Sequence, residues 1–120
     1  MPGRILVLED DPDQNLLICD VLNGEGHTCL SAQSVDEAER LLVEQGFNMA
    51  ILDMNLPGRS GLEALALIRH HPTLAGIPVI VVTANPQFQR QAEELGTDLF
   101  LVKPLSLTQL RTLVERYLGG

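Results

Sequence analysis

The chain has 120 residues, of which 45% are apolar but only 3% aromatic, so one domain with a core of Leu, Val, Ile and Ala is expected. A formal net charge of −8 argues against direct nucleic-acid binding and disfavours an anionic membrane surface. No apolar run is long enough to cross a bilayer, and acids interrupt the opening "MPGRILVLEDD" before a secretory core can form, so a cytoplasmic location is expected.

The first strand is read as Arg4–Glu9. A helix follows, with Asp11 as its cap, Pro12 at its first position and Gly24 or Gly26 at its end. Leu17, Ile18, Val21 and Leu22 recur on one helical face, which is expected to be the buried one. The second strand is His27–Ala32, and Ser34 with Glu37 forms a capping box ahead of Ala38, Leu41 and Leu42. Cys19 and Cys29 lie in the first helix and second strand, with no CxxC and no His at ligand spacing. They are expected to be two small buried thiols in a reducing compartment.

"NMAILD" reads as the third strand. Ser60 and Glu63 repeat the capping box, and Leu62, Leu65 and Ile68 carry a buried stripe until Pro72. His70 and His71 close that helix, where a cation complements the dipole. The fourth strand, Pro78–Thr83, is apolar at every position between its ends, as in a parallel sheet covered on both faces. A short helix from Gln87 to Leu95 is closed by Gly96. The fifth strand, "LFLV", runs into Lys103-Pro104, and Ser106 with Gln109 opens the last helix, lined by Leu110, Leu113, Val114 and Tyr117.

Helices between strands impose parallel pairing and right-handed crossovers. The expected fold is α/β, a (βα)5 doubly wound five-stranded parallel sheet in the flavodoxin-like order 2-1-3-4-5. The pattern alone leaves open an order with the first strand at an edge.

In such a sheet all strand carboxyl ends share one rim, and ligands bind where the strand order reverses. Glu9, Asp10 and Asp11 follow the first strand, Asp53 ends the third, Thr83 the fourth, and the fifth runs into Lys103. Two unit charges about 4 Å apart cost roughly 4 kcal/mol at an effective dielectric near 20. Converging carboxylates therefore raise each other's pKa or recruit a cation, and oxygen-only ligands suit a hard ion such as Mg²⁺. A lysine at that rim can pair with Asp53, or with a phosphoryl group once one is bound. A carboxylate nucleophile can become an aspartyl-phosphate.

The segments "ILVLEDDPDQ", "ILDMNLPGRSGLEAL", "VIVVTA" and "LVKP" span nearly the whole chain. In order and approximate spacing they resemble the receiver (response regulator) domain of bacterial two-component signalling, with residues 1–120 as one such domain. The resemblance implies Asp53 as phosphoacceptor and Glu9, Asp10, Asp53 and the Asn55 backbone carbonyl as ligands of Mg²⁺, with Mn²⁺ a substitute. Asp11 is then a helix cap. Thr83 becomes the switch hydroxyl, Phe100 the rotating switch residue and Lys103 the phosphate-binding lysine. Asn55 and Asn85, each two residues beyond a site residue, would tune dephosphorylation.

Implied partners are a sensor histidine kinase or histidine phosphotransfer protein, and a downstream effector protein or domain. The implied role is a phosphorelay acceptor rather than a turnover enzyme. One departure is that the Thr83–Phe100 segment is shorter than usual, so the fourth helix and any output surface on it are expected to be small or displaced.

Three other readings fit less well. A haloacid-dehalogenase phosphatase needs a second Asp two residues after the nucleophile, where this chain has Asn55. A flavodoxin-like flavin domain needs a Ser/Thr/Gly-rich phosphate loop where this chain has "EDDPD". A degenerate receiver kept only for protein contacts would have lost site residues that are all present here.

Overall fold

Alternation along each strand divides the core into two layers. Ile5, Val7, Met49, Ile51, Ile80 and Val82 pack on one face with Cys19, Leu22, Leu110, Leu113 and Val114. Leu6, Leu8, Ala50, Leu52, Val79 and Val81 pack on the other with Ala38, Leu42, Ala64, Leu65, Ile68 and Ala92. Because successive strand residues point to opposite faces, a strand covered on both sides must be apolar throughout. That requirement explains "MAIL" and "VIVVT", which are buried at every position.

The computed structural model describes residues 2–119. The elements are β1 (Arg4–Leu8), α1 (Pro12–Gly24), β2 (Thr28–Ala32), α2 (Val35–Glu44), β3 (Met49–Leu52), α3 (Gly61–His70), β4 (Val79–Thr83), α4 (Gln89–Leu95), β5 (Leu99–Val102) and α5 (Leu107–Tyr117). The sheet order is β2-β1-β3-β4-β5 and every pairing is parallel, which settles the order in favour of an interior β1. On one face lie α1 and α5, and on the other α2, α3 and α4.

The caps largely follow the sequence. Asp11 accepts from the amides of Asp13 and Gln14, Ser34 from Glu37, and Ser106 from Gln109. Gly26 and Gly96 take the left-handed φ that closes their helices. At α3 the box is incomplete. Ser60 caps Leu62 N–H, but the Glu63 carboxylate bonds Arg59. His70 Nδ1 meets the Ala66 carbonyl at 2.8 Å, so that histidine does close its helix.

Two expectations are corrected, and a third is met with a shifted boundary. The inner face of α1 is Asn15, Cys19 and Leu22, whereas Leu17 is 54% exposed. The helix is rotated so that a polar amide points inward, and apolar periodicity cannot anticipate that choice. Cys19 and Cys29 are not separate thiols but are joined as a disulfide, with Cα atoms 5.2 Å apart. Cys29 pairs with Ile5 in the sheet and so faces α1, a proximity set by packing rather than spacing. The fourth helix begins as a 3-10 turn, Pro86–Phe88, leaving α4 only seven residues long. That shortness matches the short Thr83–Phe100 segment.

Candidate functional site

Strands β1 and β3 stop one residue earlier than their sequence patterns suggest, and the acids sit just beyond them. The ladder still holds their backbones. Glu9 N–H donates to Ala32 O at 3.0 Å, and Asp53 N–H donates to Leu8 O at 2.9 Å. Strand pairing therefore fixes Glu9 and Asp53 side by side on adjacent strands. Their exposures are 3% and 6%, and Thr83, the last residue of β4, is fully buried. From β5, Lys103 N–H bonds Thr83 O at 2.9 Å, which aims the lysine back across the rim.

Lys103 is the chain's one lysine. Its Nζ donates to Asp53 Oδ2 at 3.0 Å and forms a close ion pair with Glu9 Oε1. The expected Asp53 partner is thus found, together with a second partner that the sequence did not indicate. Burial pushes the Glu9 carboxyl up from its ordinary value, and the Asp53 charge adds to this against the lowering effect of Lys103. Burial works to lower the Lys103 ammonium, but its bonds to Glu9 and Asp53 prevail and hold it above the usual lysine value. Asp10 has no cation partner among the described residues, and one ammonium offsets only part of the charge of the three acids.

Oxygen atoms of Glu9, Asp10 and Asp53 lie within 4.8 Å of one another. Three carboxylates from two strand ends, with no nitrogen or sulfur donor, fit a hard divalent cation. These residues could hold Mg²⁺.

Other residues flank this centre. Asn55 is exposed, and its N–H donates to Asp53 Oδ1 at 3.1 Å, which orients the acid's other oxygen toward Lys103. Asp11 is confirmed as a helix cap, outside the cluster. The Thr83 hydroxyl accepts from Asn85 N–H at 3.3 Å, while Asn85 Oδ1 caps Gln87. Phe100 is half-buried on β5 opposite Val81, packed against the α2–α4 layer.

Sequence reasoning missed three contributors. A Cβ on Gly61 would lie 1.9 Å from the Asp53 carbonyl oxygen, so only glycine lets α3 start against that strand end. Asn15 sends its amide into the end of β1, reaching Val7 O, Glu9 O and Ala32 O at 3.3, 3.0 and 2.9 Å. Arg59, in the loop after Asp53, is bonded by Glu39 through both oxygens and by Glu63 and Asp36. Those bonds, Glu39 first, raise its pKa further and pin the loop to α2. A glycine at a helix start was a legible signal. The partners of Asn15 lie at the ends of two strands and those of Arg59 on two helices, a convergence that only packing creates.

The profile of the response regulator receiver domain matches residues 5–115. The phosphate regulon transcriptional regulatory protein PhoB of Klebsiella pneumoniae is 33% identical over 92% of this chain and 49% of its own length. The response regulator protein FleR of Pseudomonas aeruginosa is 33% identical over all of this chain and 25% of its own length. The chain thus spans about half, or less, of these curated relatives. Among solved structures, the receiver domain of the Pseudomonas aeruginosa sensor histidine kinase PA1611, with magnesium coordinated in its active-site cleft, superposes with a TM-score of 0.87. It is 26% identical, with full coverage of both chains. The response regulator TrrA of Thermotoga maritima, in complex with Mg(2+)-BeF, gives 0.85 at 28% identity, covering 98% of this chain and 99% of that one. With the profile spanning the sheet, the helices and the acidic rim alike, this chain belongs to the response regulator receiver domain family.

Proposed function

We propose that residues 1–120 act as one receiver unit in which Asp53 accepts a phosphoryl group from a phosphohistidine or a small acyl phosphate. A domain of this kind is phosphorylated and dephosphorylated on its own aspartate and does not turn over substrate. The observation that carries the assignment is the position of Asp53. It is a nearly buried carboxylate at the central strand end, bonded by the one lysine and within reach of two further acids. Glu9, Asp10, Asp53 and the Asn55 carbonyl would hold Mg²⁺, or Mn²⁺ in its place. When bound, the ion supplies positive charge against the phosphoryl oxygens. An Asp53 oxygen is the nucleophile, and Lys103 exchanges its bond to that carboxylate for one to the transferred group.

With acetyl phosphate and Mg²⁺, intact-mass measurement should show one added phosphoryl group on the wild type and none on Asp53→Asn. Full labelling of that variant would move the acceptor elsewhere.

The donor is read as a histidine kinase or phosphotransfer protein, in the cytoplasm. Among the described residues no helix is long and apolar enough to cross a membrane. A groove of about 450 Å³ between α1 and α5 is lined by Leu17, Ile18, Pro104, Leu105 and Leu107, with Lys103 at its edge. A donor helix seated there would bring its phosphohistidine toward Asp53, which supports a donor protein carrying an apolar helical surface. A downstream effector protein or domain would read the phosphorylated state.

Thr83 and Phe100 are read as the switch. The buried hydroxyl turns to the phosphoryl group and the half-buried ring moves into the space vacated. A ligand shifts such an equilibrium only by its differential affinity for the two states. Structures with and without a phosphoryl mimic should differ in the Phe100 rotamer, and an unchanged ring with an unmoved Thr83 would rule this switch out.

Asn55 and Asn85 are read as flanking the water that attacks the aspartyl-phosphate. Asn85 Oδ1 is engaged by Gln87 N–H, and among the described residues its NH₂ has no hydrogen-bond partner, so it can hold that water. Glutamate at either position should change the decay rate severalfold. Unaltered decay in both variants would remove them from the water's path.

A further inference from the structure

Asn15 is a buried polar residue, 1% exposed, on the inner face of an otherwise apolar helix packing. Its orientation is fixed chemically. Three carbonyl oxygens surround one end of the amide, so that end must be the NH₂. One of these is the Glu9 carbonyl, which shares its peptide plane with the Asp10 amide. The bond therefore sets the direction in which the chain leaves β1 and presents Asp10. Another, Ala32 O, also receives Glu9 N–H, so Asn15 locks the two strand ends together.

The opposite end of the amide, Oδ1, has one hydrogen-bonding neighbour among the described residues, the Cys19 sulfur at 3.7 Å. As a thiol, Cys19 can donate to it. In the disulfide with Cys29 the sulfur has no proton, and Oδ1 is left without a donor while buried. The same oxidation tethers α1, which carries Asn15, to β2. Cys29 is only partly buried and is the more accessible of the two cysteines.

We propose that Asn15 is a positioning residue for the acidic pair, and that the Cys19–Cys29 dithiol–disulfide couple acts through it to set affinity for Mg²⁺. This rests on the reading of Glu9, Asp10 and Asp53 as the metal site. The oxidant is a small-molecule disulfide, such as oxidised glutathione. The Cys29 thiolate attacks one of its sulfurs, breaking that S–S bond and releasing one thiol. Cys19 then displaces the second from the mixed disulfide. Two protein thiols are oxidised by two electrons, the reagent is reduced, and the two protons leave on its two thiols. In the dithiol state both ends of the Asn15 amide are satisfied and the end of β1 is held. The disulfide state keeps the Asn15 bonds at 3.3, 3.0 and 2.9 Å but orphans Oδ1, so they hold the end of β1 less firmly than when a Cys19 thiol donates to that oxygen.

The experiment is a Mg²⁺ titration of both redox forms, followed through the side-chain NMR resonance of Lys103, which is unambiguous because the chain has no other lysine. The disulfide form should bind about fivefold more weakly, at the low end of usual coupling strengths. Coupling is reciprocal, so saturating Mg²⁺ should favour the dithiol by the same factor in a glutathione buffer, roughly 20 mV for this two-electron couple. Cys29→Ser should bind like the reduced wild type under oxidising and reducing conditions alike. Asn15→Ala should bind weakly and equally in both forms.

A disulfide that only stabilises the fold would shift melting but leave the Mg²⁺ dissociation constants equal, and equality within twofold overturns the proposal. A redox difference that survives in Asn15→Ala overturns the route through Asn15. If Asn15→Ala does not fold, the wild-type titrations and Cys29→Ser decide the matter. Failure of Mg²⁺ to bind either form would instead remove the metal-site reading itself.

Discussion

Gly61→Ala should destabilise the domain by about 3 kcal/mol, at the upper end of overpacking costs, and should disable phosphoryl uptake in whatever remains folded. The added Cβ would lie 1.9 Å from the Asp53 carbonyl oxygen, 2.9 Å from its carbonyl carbon and 2.9 Å from Met54 Cε. Met54 can move its side chain, but the carbonyl cannot retreat without taking Asp53 with it. Nor can α3 simply lift away, because Gly61 N–H donates to Met54 O at 3.0 Å. Either response displaces the acceptor or breaks the helix start. Gly46→Ala is the control. Its φ is not positive and its added Cβ meets nothing within 4 Å, so it should be neutral or slightly stabilising. Urea melts of both variants, followed by acetyl phosphate labelling, give the comparison. Equal stability with full labelling of Gly61→Ala would mean that the contact does not set the site.

Asp10→Asn should produce a crossover between metal-free and metal-bound stability. One Lys103 ammonium bridges Glu9 and Asp53 and offsets only part of the charge of the three acids, and Asp10 is the one with no cation partner among the described residues. Charge pairs at such separations interact by roughly 1 kcal/mol in water and about 4 kcal/mol at an effective dielectric of 20. Asp10 is partly exposed, so a gain on the order of 1 kcal/mol in EDTA is expected, a rise of about 3–6 °C in a domain of this size. The same substitution removes a metal ligand. A folded-state ligand at about 100 times its dissociation constant contributes roughly 2.7 kcal/mol, and the variant should lose most of that increment. Thermal melts of both proteins in EDTA and in saturating Mg²⁺ supply the four values. A variant that is less stable in EDTA yet responds fully to Mg²⁺ would make Asp10 an ordinary surface acid.

The chain's short-range rules determined its elements and their order. Continuous apolar runs such as Val79–Thr83 demand burial on both faces, Asp11, Ser34 and Ser106 fix helix starts, and Gly26 and Gly96 fix ends. Alternation of strand and helix forces parallel pairing, which puts every strand's carboxyl end at one rim. Glu9, Asp10, Asp53, Thr83 and Lys103 were therefore readable as one group before any coordinates. What the tertiary structure decided was rotation and reach. Apolar periodicity turned α1 toward Leu17, but Asn15 faces inward, where its NH₂ reaches three carbonyls at the ends of β1 and β2. The Cys19–Cys29 bond depends on how α1 lies across β2, and the Arg59 clasp on how its loop meets α2, which no local spacing encodes. The second partner of Lys103 arises in the same way. Glu9 and Asp53 are brought side by side by sheet register, and only the packed structure lets one ammonium reach both.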